Sequence, residues 1–154
     1  MYGFGTHNSA ISGFYDITGS HKVITFERRE NGYHARVGAG DLVTIAGLII
    51  TGDTPKQILI RGRGPSVGVP AGVTRLVNPT LTLKSGQTTI GSNDDWQDAA
   101  NAADISATGK APGHPLDSAI MMVLQPGAYT VILRGAGGVT GSGIVEVLDL
   151  TGLQ

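Results

Sequence analysis

The stretch after position 124 constrains the fold of this chain most. Gln125-Pro-Gly-Ala-Tyr-Thr-Val-Ile-Leu-Arg-Gly135 and Ser142-Gly-Ile-Val-Glu-Val-Leu-Asp-Leu150 are two runs rich in β-branched residues, separated by the glycine tract Ala136-Gly-Gly-Val-Thr-Gly141. Glycine accepts the positive φ values that tight turns and bulges demand, so this arrangement predicts a terminal hairpin. Glycine excess runs through the whole chain, 24 of 154 residues, about twice the usual share of roughly 7%. Without a collagen period, that excess means many tight turns.

The rest of the chain repeats the theme. Val23-Ile-Thr-Phe-Glu-Arg28 alternates and is followed by Asn31-Gly32, a hairpin signal. Asp41-Leu-Val-Thr-Ile-Ala-Gly-Leu-Ile-Ile-Thr51 is nearly unbroken apolar sequence, which suits a central strand or one bent at Gly47. Lys56-Gln-Ile-Leu-Ile-Arg-Gly-Arg63 alternates and stops at Gly64-Pro-Ser66, and Thr80-Leu-Thr-Leu-Lys-Ser85 with Thr88-Thr-Ile-Gly91 flanks Gly86-Gln87 as a second hairpin. Residues 96–107, alanine-rich behind Asp94 and Asp95, predict one short helix at most. Ala119-Ile-Met-Met-Val-Leu124 leads into the terminal hairpin. Eight to ten short strands with no intervening amphipathic helices predict an all-β, antiparallel β-sandwich of jelly-roll type. Its core is expected to draw on Ile45, Leu48, Ile50, Ile58, Ile60, Leu81, Leu83, Ile120, Met122, Leu124, Val131, Leu133, Val145 and Val147. Residues 1–34 read as an N-terminal arm and first hairpin able to exchange strands, and residues 35–154 as the sandwich domain.

Several function classes fall away on composition. A net charge of −1 gives no electrostatic footprint for nucleic acid. The absence of cysteine removes disulfides, thiolate metal sites and cysteine nucleophiles. No apolar run reaches the ~18 residues of a membrane span, and Met1-Tyr-Gly-Phe-Gly-Thr-His7 lacks the basic and apolar regions of a signal peptide.

The reactive side chains form few clusters. Gly64-Pro-Ser-Val-Gly68 spells the serine-hydrolase elbow, and His114 lies downstream of several aspartates. The elbow requires a helix directly after it, however, and Pro70 and Gly72 oppose one, so a loop is expected and no catalytic residue is assigned. Gly62-x-Gly64 and the 135–141 tract are followed by strands, where a phosphate cradle needs a helix N-terminus. His7, His21, His34 and His114 show no zinc spacing. Arg61, Arg63 and Arg75 fit solvated strand positions whose stems cover apolar surface, with an anion groove as the alternative. The dense acidic group is Asn93, Asp94, Asp95 and Asp98: hard oxygen ligands for calcium on one reading, an Asx turn and helix cap on the other. No cofactor is required.

One resemblance is carried by an ordered set of pieces. They are Gly47-Leu-Ile-Ile-Thr-Gly52, Pro55-Lys-Gln-Ile-Leu-Ile-Arg61, Gly64-Pro-Ser66, Asn78-Pro-Thr-Leu-Thr-Leu83, Ser92-Asn-Asp-Asp-Trp96, Ala107-Thr-Gly109, Pro115-Leu-Asp-Ser-Ala-Ile120, Pro126-Gly-Ala-Tyr-Thr130, Arg134-Gly135 and Val145-Glu-Val-Leu-Asp149. Over residues 35–150 they resemble β-sandwich modules near the C-termini of large secreted proteins of environmental bacteria, similar in outline to pre-peptidase C-terminal domains. The resemblance implies an extracellular or cell-surface, non-catalytic accessory domain. Two roles follow as expectations. The first is a structural subunit that assembles into a homo-oligomer or filament by adding its arm to a neighbour's sheet edge. The alternative is a calcium-dependent module for polysaccharide or a matrix protein.

Overall fold

The computed structural model describes the backbone of residues 11–13, 25–29, 32–37 and 43–151, with side chains described from residue 45 to 151. Among these residues ten strands carry the fold: β1 (Ile11–Gly13), β2 (Thr25–Arg29), β3 (Gly32–Val37), β4 (Val43–Ile50), β5 (Lys56–Arg63), β6 (Pro79–Ser85), β7 (Thr88–Asn93), β8 (Ser118–Leu124), β9 (Gly127–Gly135) and β10 (Gly143–Asp149). A 3-10 turn (Trp96–Asp98) and one helix, α1 (Ala102–Ala107), lie between β7 and β8, as the alanine-rich stretch led us to expect. The strands form two five-stranded sheets, ordered β1-β4-β9-β6-β7 and β2-β3-β10-β5-β8, with every ladder antiparallel. The chain is therefore an all-β sandwich. Its two local hairpins, β2–β3 and β6–β7, stand where the turn residues predicted them, with Gly86 at φ 57° in the second.

Alternation fills the space between the sheets. Leu48 and Ile50 of β4, Leu81 and Leu83 of β6, and Val131 and Leu133 of β9 face Ile58 and Ile60 of β5, Ile120 and Leu124 of β8, and Val145 and Val147 of β10. Leu76, from the loop before β6, joins them, and Met122 packs at the margin. Ile45 is a correction: Ala46, Leu48 and Ile50 are the buried phase of β4, so period two puts Ile45 half-buried on the opposite face. The division proposed at 34/35 lies inside β3, which pairs with β10 along its whole length.

The terminal hairpin is the larger correction. β9 pairs with β4 and β6 in one sheet, whereas β10 pairs with β3 and β5 in the other. The glycine tract carries the chain across the sandwich, and β8 likewise pairs with β5 instead of feeding a hairpin. The physical reason is close backbone approach. Leu76 N donates to Ser142 O at 2.9 Å, Ser142 N to Thr74 O at 2.8 Å and Ala136 N to Asn78 O at 2.8 Å, so the tract lies directly on residues 74–78. A Cβ on Gly141 would collide with the carbonyl group of Arg75, and one on Gly135 with the carbonyl of Val139. Gly137 and Gly138, at φ 64° and 79°, make the bend.

Candidate functional site

The second sheet is covered on its outer face by the β7–β8 connection. Ile105 of α1 packs with Leu59, Ala119, Met121, Leu148 and Leu150, and Trp96, Ala99 and Ala111 border this second apolar cluster. Ile105 is fully buried, which explains why so short a helix is held: its one buried side chain plugs the sheet. Trp96 is fixed at both ends, its backbone N donating to Asp117 O (2.9 Å) and its indole Nε1 to His114 O (3.2 Å).

Beside that cluster, on the same face, the described residues place their densest charged group. Antiparallel register sets Arg61 of β5 opposite Glu146 of β10, with Arg63 two residues along β5. Glu146 is 1% exposed and pairs with both arginines: Arg63 donates to Oε1 at 2.7 Å, and Arg61 pairs with Oε2. Arg61 also donates to Lys110 O at 2.8 Å, and Arg63 to Ser66 Oγ at 2.8 Å and Ser66 O at 3.1 Å. Asp117 is fully buried next to them. Its Oδ1 accepts from Gly64 N at 2.9 Å, and its Oδ2 has no hydrogen-bond partner among the described residues. Burial pushes the Arg61 guanidinium below the ordinary arginine range and Arg63 adds to this, while Glu146 and Asp117 pull the other way. Two carboxylates and two guanidiniums thus balance in charge under the 94–117 cover. On the far side of Glu146 the same row continues at position 34 of β3 and position 27 of β2.

This arrangement ties β5, β10, the 64–66 turn and the 110–117 loop into one unit, in which both arginines are engaged by Glu146 and by backbone carbonyls while Asp117 Oδ2 is left without a hydrogen bond among the described residues. Of the three arginines expected to be solvated, Arg75 is exposed, whereas Arg61 and Arg63 are half-buried around the buried Glu146. Glu146 went unnoticed as a site residue; the signal for it was a single carboxylate in Ile144-Val-Glu-Val-Leu148 together with an Arg-x-Arg run on another strand.

The other sequence candidates are dispersed. Gly64-Pro-Ser-Val-Gly68 is a turn closed by Val67 N donating to Gly64 O (3.0 Å), and the Ser66 hydroxyl is held by Arg63. His114 Nδ1 accepts from Leu116 N at 3.1 Å. Arg75, exposed, donates from Nε to Val67 O at 2.7 Å, one residue along the turn from the Ser66 that Arg63 holds. His7 and His21 lie outside the described residues. In the acidic group, Asn93 spends both polar atoms on backbone: Nδ2 donates to Asp95 O (3.0 Å) and Oδ1 accepts from Ala119 N (2.8 Å). Asp94 is exposed, and its carboxyl is raised above the usual range by partial desolvation and by Asp95 and Asp98 beside it. Among the described residues no three histidine, aspartate or glutamate side chains converge as metal ligands, and no helix is long and apolar enough to cross a membrane.

The fold defines the class: a two-sheet antiparallel β-sandwich, with its densest charged group among the described residues half-buried beside the 94–117 cover. In solved structures the chain is similar to the pre-peptidase C-terminal domain of a collagenase from Bacillus anthracis, at 13% identity and a TM-score of 0.47, over 79% of this chain and 98% of that one. No family model and no curated protein matches the chain.

Proposed function

We propose that this chain is an extracellular, non-catalytic structural module that assembles with copies of itself. The observation that carries the reading is the origin of one side of the sandwich. The edge strands β1 and β2 both come from the first 29 residues, whereas the other two edges, β7 and β8, come from the body of the chain. A segment that supplies both edge strands of one side can supply them to a neighbour with the same backbone hydrogen bonds. The non-catalytic part of the reading rests on the occupied Ser66 hydroxyl and His114 Nδ1 and on the internal position of the ion cluster. The location rests on the sequence resemblance alone.

Mass photometry and negative-stain microscopy of the whole chain and of a chain lacking residues 1–22 test this. Oligomers or filaments that vanish on truncation are expected, with Trp96 fluorescence verifying that the truncated chain is folded. A monomer at every concentration, or assembly unchanged by truncation, overturns it.

One observation favours the second reading, a calcium-dependent accessory domain for polysaccharide or matrix protein. Desolvation first, and then Asp95 and Asp98 beside it, raise the Asp94 carboxyl, and a divalent cation at this loop would offset the part that comes from the neighbouring carboxylates. Retention on insoluble polysaccharides that is lost with chelator is the expected result. No retention on any of them removes this reading.

A further inference from the structure

The two sheets differ in charge. The five strands of the first sheet hold no carboxylate, and their charged residues are Lys84 of β6 and Arg134 of β9, both cations. The strands of the second sheet carry Glu27, Glu146 and Asp149. Parity puts both cations of the first sheet on its outer face. Leu81 and Leu83 of β6 and Val131 and Leu133 of β9 fill the core, so Thr80, Thr82 and Lys84, and likewise Thr130 and Arg134, point outward. On β7 a Cβ at Gly91 would meet Ile120 and Met122 of the facing sheet, so Gly91 faces inward and Ser92 outward, while Thr89 shares the face of its register partner Lys84.

The ladders align these positions into rows across the strands. Thr130, Lys84 and Thr89 form one, Ile132, Thr82 and Ser92 the next, and Arg134 stands beside Thr80 in the third. Neighbours within a row are ~5 Å apart and the rows ~7 Å apart. Arg134, Thr89 and Ser92 are exposed, and Thr82, Lys84 and Thr130 are half-buried. Among the described residues no side chain pairs with the Lys84 ammonium or the Arg134 guanidinium, and the hydroxyls of Thr82, Thr89, Ser92 and Thr130 make no hydrogen bond. Tyr129, the one aromatic residue in these strands, packs against the core, so the face offers no ring on which a base or a sugar could stack. Free hydroxyls between two unpaired cations match a polymer that itself carries hydroxyls and anionic groups, and a sheet face presents them at fixed repeats along its strands.

We propose that the outer face of β9, β6 and β7 binds an acidic polysaccharide, with Arg134 and Lys84 holding carboxylate groups of the polymer and the rows between them taking its hydroxyls. The inference rests on the accessory-domain reading, but it moves the contact from the 93–98 loop to the sheet and needs no calcium. Asp94 separates the two. It stands one position beyond the Asn93–Leu81 pair, at the Thr80 end of the face. A calcium site in the loop requires its carboxylate, whereas a face that takes a polyanion directly is opposed by it.

Soluble polygalacturonate, with dextran as the uncharged comparison, is titrated into the whole chain under a calcium chelator and followed by calorimetry. Binding of polygalacturonate and not of dextran is expected. K84Q combined with R134Q removes two exposed ion pairs and should weaken binding about tenfold. K56Q removes a cation at the start of β5 in the other sheet and should leave the affinity unchanged. D94N should strengthen binding about twofold. Thermal melts verify that each variant is folded. No binding under chelator, equal binding of dextran, or the same loss in K56Q as in the double variant overturns the sheet-face assignment. If binding appears only with calcium and is lost in D94N, the face is overturned and the accessory-domain reading survives through the loop. If neither polygalacturonate nor any insoluble polysaccharide is bound with or without calcium, both are overturned.

Discussion

Replacing Glu146 with glutamine tests whether the ion cluster holds the sandwich together. The carboxylate is 1% exposed and accepts charge-assisted hydrogen bonds from both arginines, whose side chains are 15% and 24% exposed. Glu146→Gln keeps the shape and one acceptor oxygen. It removes the negative charge, so two half-buried guanidiniums face each other with Asp117 as the other carboxylate that acts on Arg61. A hydrogen bond to a charged group contributes about 1.5–3 kcal/mol, and breaking a buried ion pair costs about 3–5 kcal/mol. Because the glutamine amide can still accept from one arginine, the lower end applies and a loss of about 3 kcal/mol is expected. For a domain of this length that lowers Tm by about 6–12 °C. Urea unfolding followed by fluorescence of the single tryptophan, Trp96, measures it directly, since that ring borders the apolar cluster next to the ion cluster. The m-value should not change, and the loss should persist at 0.5 M salt, because screening acts weakly on buried pairs. A loss below about 1 kcal/mol, or one abolished by salt, would mean that the arginines are solvated as the strand pattern first suggested, and the reasoning would be wrong.

Three further expectations can be checked on the same instrument. Gly141→Ala places a Cβ against the Arg75 carbonyl group and should cost more than about 2 kcal/mol or prevent folding. Gly68→Ala, which meets nothing within 4 Å, should stay within about 0.5 kcal/mol of the parent; equal effects at the two sites would refute close packing of the 136–142 crossing. Asp94→Asn should stabilise the chain at pH 7. The raised Asp94 carboxyl means that its favourable contribution is complete below its unfolded value of 3.8 and is lost as pH rises through the folded value. The gain from Asn should therefore vanish in thermal melts below that pH, and a gain independent of pH would remove the desolvation of the charged Asp94 and its repulsion by Asp95 and Asp98 as the cause. Ile105→Ala should cost about 2–5 kcal/mol by opening a void under the 94–117 cover, and an effect near zero would mean that the helix does not seal the sheet.

What was legible in the sequence was local, and what was not depended on which sheet a strand joins. Period-two alternation identified Leu81 and Leu83, Val131 and Leu133, and Val145 and Val147 as inward residues, because facing the core requires the same pattern in either sheet. For the same reason the pattern could not distinguish β9 and β10 as a hairpin from β9 and β10 on opposing sheets: both arrangements bury the same faces. The glycines of 135–141 were equally ambiguous. A turn needs glycine for positive φ and a crossing needs it for backbone approach, and here Gly137 and Gly138 serve the first need while Gly135 and Gly141 serve the second. Ile45 was misplaced because an unbroken apolar run carries no phase; the buried Ala46 set it. The ion cluster was hidden by distance in the chain. Arg61 and Glu146 stand 85 positions apart (146 − 61) and become neighbours only through the β5–β10 register. Asn93 is the instructive case, because its amide is the kind of group that ligates a cation in a loop, yet here it meets a strand edge. Whether a polar side chain serves a ligand or a backbone group depends on which partner lies within reach, and that partner, Ala119 N, is brought within reach by the return of β8 beside β7.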